Sequence, residues 1–197
     1  MTRYLYVAVV LMLLTGCGDS PPVPTDYFYR LTLPAEGVEK NHITSEVIYV
    51  GSFVAEGLYN ERALLYTEDE HGRELQQHHY HFWVTSPPHM LRDYLVDFLR
   101  TADVAPTIIA ESNPDQGLEI SGKVIEFEKQ KGAGAWIANV GIELRLQATG
   151  EKLPRLVKQY HLQEPITSDA MTDTVAGFNT AVWKIYNEFL SEIRAVL

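Results

Sequence analysis

The chain holds a single cysteine, Cys17, so no disulfide braces the fold and its stability rests on packing. Cations are also scarce: 16 Lys and Arg face 26 Asp and Glu, a formal net charge of −10. That balance excludes a phosphate-backbone partner, which needs clustered Lys and Arg, and disfavours adhesion of the folded body to anionic headgroups. No apolar run reaches the roughly 20 residues of a membrane-spanning helix. The segment that comes nearest, Tyr4 to Leu14, is too short. There is no G-x-S-x-G, H-E-x-x-H or C-x-x-C motif. Carboxylates are plentiful, but the sequence sets none in apolar surroundings, so a raised-pKa acid cannot be argued. No internal repeat or second domain is visible.

What is present begins at the N-terminus. Arg3, the apolar run Tyr4–Leu14 and a small-residue ending form a secretory signal. The ending, Leu14-Thr15-Gly16-Cys17, resembles a bacterial lipobox. In lipoproteins the cysteine of that motif receives a diacylglycerol, the preceding peptide is cut, and the new amino terminus takes an acyl chain such as palmitate. Two or more chains hold a protein stably on a bilayer, each buried CH₂ contributing about 0.8 kcal/mol. The chain is therefore read as a signal peptide over 1–16, a lipidated Cys17 with a Pro-rich tether over 17–26 (Pro21, Pro22, Pro24), and a domain over 27–197. Gly18, with Asp19 one place later, favours the periplasmic face of the outer membrane over retention at the inner one.

Hydrophobic content of 46% and charged content of 21% are those of an ordinary globular domain. Tyr27–Leu31 is β-prone, and Val47–Val54 is an apolar run suited to a strand buried on both faces. Ala63–Thr67 and Leu75–Val84 flank a polar turn and predict a hairpin. Ser86-Pro87-Pro88 opens a helix to about Ala102. A short strand follows at Thr107–Ile109. Leu118–Lys129 is a strand whose alternation slips, and a β-bulge at Gly122 would reconcile its two phases. Trp136 to Leu146 alternates cleanly, one face buried and one wet, and Leu156–Leu162 is the last strand. The final helix carries one apolar stripe from Met171 to Ile193, with Thr167 or Ser168 as cap and Asp169 and Asp173 near its positive end. The expected fold is an α+β single domain: a mixed, mainly antiparallel sheet with two main helices on one face.

Chemistry is sparse. His79 and His81 are expected to share a strand face, with His78 on the other, but no third metal ligand is suggested. Lys131-Gly132-Ala133-Gly134-Ala135 lacks the ending of a phosphate loop and reads as a hairpin connection. Trp136, beside that tip, is expected to close the core in preference to forming a contact surface. No cofactor, metal site or catalytic residue is assigned. Tyr80, Trp83 and Trp136 are the candidate lipid or partner contacts.

The layout resembles the ABC-type transport auxiliary lipoproteins, the group that includes the paraquat-inducible C-type lipoproteins. The resemblance is carried by Tyr27–Leu31, Val47–Phe53, Tyr80-His81-Phe82-Trp83 before Pro87, Leu118–Val124 with Phe127, and the closing helix Val175–Ile193. These are fold residues, and Tyr59–Arg62 departs from the wording of close relatives. The resemblance implies a non-catalytic accessory subunit of a transport system carrying mammalian-cell-entry (MCE) domains and moving phospholipid between membranes. It also implies docking on the periplasmic MCE protein and assembly as a homo-oligomeric ring. The rival readings are an independent periplasmic lipid carrier and, less favoured, a metal-dependent hydrolase built on His78, His79 and His81.

Overall fold

The computed structural model describes residues 24–32, 34, 37–40, 42–69, 71–111, 116–132 and 134–197. Leu14, Thr15, Gly16, Cys17 and most of the tether lie outside the described residues.

Eight strands and two α-helices follow in chain order: β1 (Tyr27–Tyr29), β2 (Ile48–Ala55), β3 (Ala63–Thr67), β4 (Gln76–Trp83), α1 (Pro87–Thr101), β5 (Ile108–Ile109), β6 (Leu118–Lys131), β7 (Trp136–Ala148), β8 (Leu156–Pro165) and α2 (Met171–Val196). A 3₁₀ turn, Gly57–Asn60, links β2 to β3. The strands form one mixed sheet centred on β6. On one side β6 pairs antiparallel with β7, and β7 antiparallel with β8. On the other side the sheet forks. β2 runs parallel to the first half of β6 (Ile48↔Leu118 to Ala55↔Val124), and β3 runs parallel to its second half (Leu65↔Glu128 to Thr67↔Gln130). β5 extends the β2 branch in parallel. The expected hairpin, β3 antiparallel to β4, extends the other branch, and β1 closes it parallel to β4.

Both helices cover one sheet face. α1 follows Ser86 as N-cap, with Pro87 and Pro88 in its first turn, where their missing N–H groups cost nothing. It ends at Ala102, followed by Asp103 at φ 54°. α2 buries Phe178, Val182, Ile185, Tyr186, Phe189 and Ile193 against β7 and β8. The helices meet where the Tyr186 ring touches Tyr94 and Phe98, and the buried Tyr186 hydroxyl donates to the Leu91 carbonyl at 2.8 Å. Thr167 and Ser168 do not cap α2, contrary to expectation. Ala170 is the N-cap, and the two hydroxyls donate instead to the Asp173 carboxylate at 2.8 and 2.7 Å. Those bonds hold the Asp173 pKa below its ordinary value.

The phase slip in β6 is real, but it is not at Gly122. Leu118, Ile120 and Val124 are buried on the first phase and Phe127 on the second. The register breaks between Val124↔Ile142 and Glu126↔Gly141, so Ile125 is the extra residue. Gly141 permits this, because a Cβ there would lie 3.3 Å from the Glu126 backbone nitrogen and 3.4 Å from the Ile125 Cβ. Gly122 instead makes room for a ring: Phe53 lies flat on it, 2.7 Å from where a Cβ would be.

Candidate functional surfaces

The β1–β4 edge is built from aromatic side chains. Parallel pairing sets Tyr27 opposite His81, Phe28 opposite Phe82 and Tyr29 opposite Trp83. On one face Tyr27 stacks on His81 with ring centroids 5.3 Å apart, and Tyr29 stacks on the same imidazole at 5.8 Å. The Tyr29 hydroxyl lies 2.9 Å from His81 Nδ1, and burial raises the Tyr29 pKa. On the other face Phe28 meets Phe82 at 5.8 Å, with the Arg62 guanidinium 5.4 Å above the Phe28 ring. Arg62 Nε donates to the Trp83 carbonyl at 3.1 Å. Asp26, Glu61 and Gln77 join Phe28, Arg62 and Phe82 around a shallow recess of about 360 Å³. Among the described residues β1 pairs only with β4, so its outer backbone groups form an open sheet edge.

The three candidate contact residues diverge. Tyr80 is exposed, and its backbone is left-handed at φ 66°. This kink lets five residue steps of β4 (Phe82 to Gln77) oppose two of β3 (Ala63 to Leu65). Trp83 is 1% exposed and is corrected from a contact residue to a core residue. Its ring lies between Phe127 at 5.3 Å and Phe178 of α2 at 5.4 Å, on the sheet face that the helices cover. Trp136 is half-buried at the rim of the core and makes an edge contact with Tyr66 at 6.5 Å. Its ring carries the Lys129 ammonium 4.4 Å above the centroid. Lys129 is 5% exposed, and its nearest carboxylate, Asp169, is 3.9 Å away. Burial pushes its pKa down, and Asp169 partly opposes this.

The left-handed Tyr80 also rearranges the histidines. His78 and His81, and not His79 and His81, lie together, their rings 5.8 Å apart edge to face. His79 points to solvent. His78 packs on Tyr66 at 4.4 Å, and its Nε2 is buried without a hydrogen-bond partner. Burial foremost, then His81, Lys129 and His79, pushes its pKa down to about 4, so the ring is neutral at pH 7. Among the described residues no three His, Cys, Asp or Glu side chains converge as metal ligands.

Sequence reasoning missed a polar network on the uncovered sheet face, where the Ile125 bulge brings Glu126 and Glu128 beside Asn139. Asn139 Nδ2 donates to Glu128 Oε1 and to Glu126 Oε2, each at 3.1 Å. His161 Nε2 lies 2.5 Å from Glu126 Oε2. Glu128 and Asn139 are each 4% exposed. Glu128 Oε2 and Asn139 Oδ1 are buried and have no hydrogen-bond partner. Burial raises the Glu128 pKa, the Glu126 charge adds to that, and Asn139 and Tyr59 oppose it. The Tyr59 phenol, half-buried beside these carboxylates, is held neutral far above its usual range by burial and then by Glu128.

Comparison with known proteins extends these observations. Residues 29–188 match the family model described as ABC-type transport auxiliary lipoprotein component. Among solved structures, protein XCC0632 from Xanthomonas campestris superimposes with a TM-score of 0.74 at 17% identity, covering 86% of this chain and 96% of that one. The hypothetical protein CT253 from Chlamydia trachomatis gives a TM-score of 0.52 at 6% identity, covering 78% and 98%. At such identities these likenesses show the shared fold. No curated protein sequence matches the chain.

Proposed function

The chain belongs to the ABC-type transport auxiliary lipoprotein component family, and on that premise we propose that it is an outer-membrane-anchored periplasmic lipoprotein that docks on the MCE-domain protein of an ABC-type phospholipid transport system. The observation that carries the reading is the order of parts along one chain. A lipobox ending at Cys17 is followed by nine residues, 18–26, and then by the domain that matches the family over 29–188. Lipidation at Cys17 fixes the chain to the bilayer, the Pro-rich segment spaces the domain from it, and the domain makes the protein contact. Assembly into a homo-oligomeric ring belongs to the same proposal.

The packing of the interior supports docking over carriage of lipid inside the fold. Trp83, Phe98, Phe127, Phe178 and Tyr186, each 1% exposed or less, fill the space between sheet and helices that a lipid would need. Crosslinking of the lipidated protein in native membranes, with proteins and lipids both identified by mass spectrometry, is expected to recover an MCE-domain protein. Stoichiometric lipid recovered without such a partner would overturn the docking role in favour of a carrier.

A further inference from the structure

Three Tyr, Phe or Trp side chains are exposed among the described residues, and all three lie on one sheet edge. Tyr27 is 53% exposed, Phe28 54% and Tyr80 46%. Tyr27 and Phe28 project from opposite faces of β1, and Tyr80 adjoins Tyr27's cross-strand partner His81. Half-exposed Tyr and Phe at a free edge are costly in water. In the headgroup layer of a bilayer the ring is shielded and the phenol stays wet.

Two further observations point to a lipid surface as the occupant. The first is position along the chain. β1 is the first element of the domain, and the nine residues 18–26 between Cys17 and Tyr27 span at most about 30–35 Å even when fully extended. The edge is thus held within reach of any bilayer that holds Cys17. The second is charge. The chain carries a net −10, which repels an anionic membrane. At this edge the exposed Asp26 and Glu61 are balanced by the exposed Arg30 and Arg62, so the local repulsion is weak.

We infer that the β1–β4 edge rests in the interfacial layer of the anchoring bilayer, with Tyr27, Phe28 and Tyr80 seated at headgroup level. The inference rests on the anchoring of Cys17 proposed above. It gives the tether a second consequence, an orientation of the domain: β1 faces the membrane, and β8, at the opposite side of the sheet, faces away from it.

The test uses the full lipidated chain in vesicles of phosphatidylethanolamine and phosphatidylglycerol, with lipids brominated at shallow or deep acyl positions. Phe28→Trp and Tyr27→Trp, made separately, place a reporter at two edge positions, so that a perturbation of the strand by one leaves the other. The expected result is that the added Trp emission shifts to the blue and is quenched more by shallow than by deep bromines. Added emission that is indifferent to bromine on vesicles that float with the protein overturns the inference and leaves the anchor standing. A blue shift that grows with protein density and is not quenched also overturns it, and assigns the edge to a second copy of the chain. Failure to float with the vesicles removes the Cys17 anchor and this inference together.

Discussion

At the scale of single residues, the least comfortable group is Glu128. Its carboxyl is buried beside a second carboxylate, Glu128 Oε2 and Asn139 Oδ1 lack a partner within hydrogen-bond geometry, and the Asn139 amide and the nearby Tyr59 phenol offset the burial only in part. A proton on Glu128 relieves both burdens: it removes a buried charge and supplies a donor. The sign follows from the raised pKa. The folded state binds this proton more tightly than the unfolded one, so the stabilising contribution is complete below the ordinary Glu value and is lost as pH rises through the folded pKa. Glu128→Gln keeps the shape and carries a permanent amide donor. The variant should be more stable than wild type at pH 8 by about 1–3 kcal/mol, the usual cost of a buried unsatisfied group, with a smaller difference at pH 4. Thermal melts of both proteins across that range check this. Equal pH dependence in the two would exclude Glu128 as the titrating group.

Lys129 is the opposite case, a buried cation resting on an aromatic ring with a carboxylate only at 3.9 Å. Trp136→Ala strips the ring away and leaves the ammonium with Asp169 alone. A desolvated cation–π contact is worth about 2 kcal/mol or more, so a loss of at least that size is expected. Lys129→Met keeps the packing of the stem without the charge and should lie within about 1 kcal/mol of wild type. Combined with Lys129→Met, the cost of Trp136→Ala should shrink, a coupling that a double-mutant cycle reads by chemical denaturation.

At the scale of elements, glycines decide where strands can bend and stack. The side-chain alternation of β7, the Ser-Pro-Pro start of α1 and the stripe of α2 were legible because each depends on residues within one element. The slip in β6 was legible too, but its site was not. Ile125 bulges because Gly141, on another strand, leaves room for it, and no pattern within β6 carries that information. The left-handed turn at Tyr80 was hidden for a similar reason, since tyrosine gives no local signal for positive φ. That one residue explains the failure at the histidines: it brings His78, and not His79, beside His81. Gly122 gives the element-scale prediction. Gly122→Ala places a methyl group 2.7 Å from the Phe53 ring, which is itself 7% exposed and has little space to retreat. Overpacking of this kind costs about 1–3 kcal/mol, which in a domain of this size lowers Tm by about 2–4 °C per kcal/mol. Calorimetry checks this, and Phe53→Leu in the same chain should recover part of the loss.

At the scale of the whole molecule, the fold divides its duties between two sides of one sheet. The helices seal one face, and their contact through Tyr186, Tyr94 and Phe98 makes the interior continuous. The other face stays polar, with the pairs Lys123–Glu56 and Gln159–Glu143 on its surface. Among the described residues no helix is long and apolar enough to cross a membrane. Under the lipidation of Cys17 proposed above, membrane residence is supplied by the acyl chains. Its energy is chemical and local: one acyl chain gives only marginal, reversible binding, whereas a diacylglycerol plus an N-terminal acyl chain holds the protein stably. The exposed edge aromatics cannot replace that, because three half-buried rings on a body with a net charge of −10 fall far short of it. Cys17→Ala should accordingly move the protein from the membrane pellet to the soluble periplasmic fraction and abolish incorporation of labelled palmitate. The folded domain should keep the same melting temperature, because nine residues separate Cys17 from the first strand. Fractionation, metabolic labelling and a thermal melt on the same pair of strains read all three. A Cys17→Ala protein that still sediments with membranes and still carries label would place the anchor elsewhere in the chain.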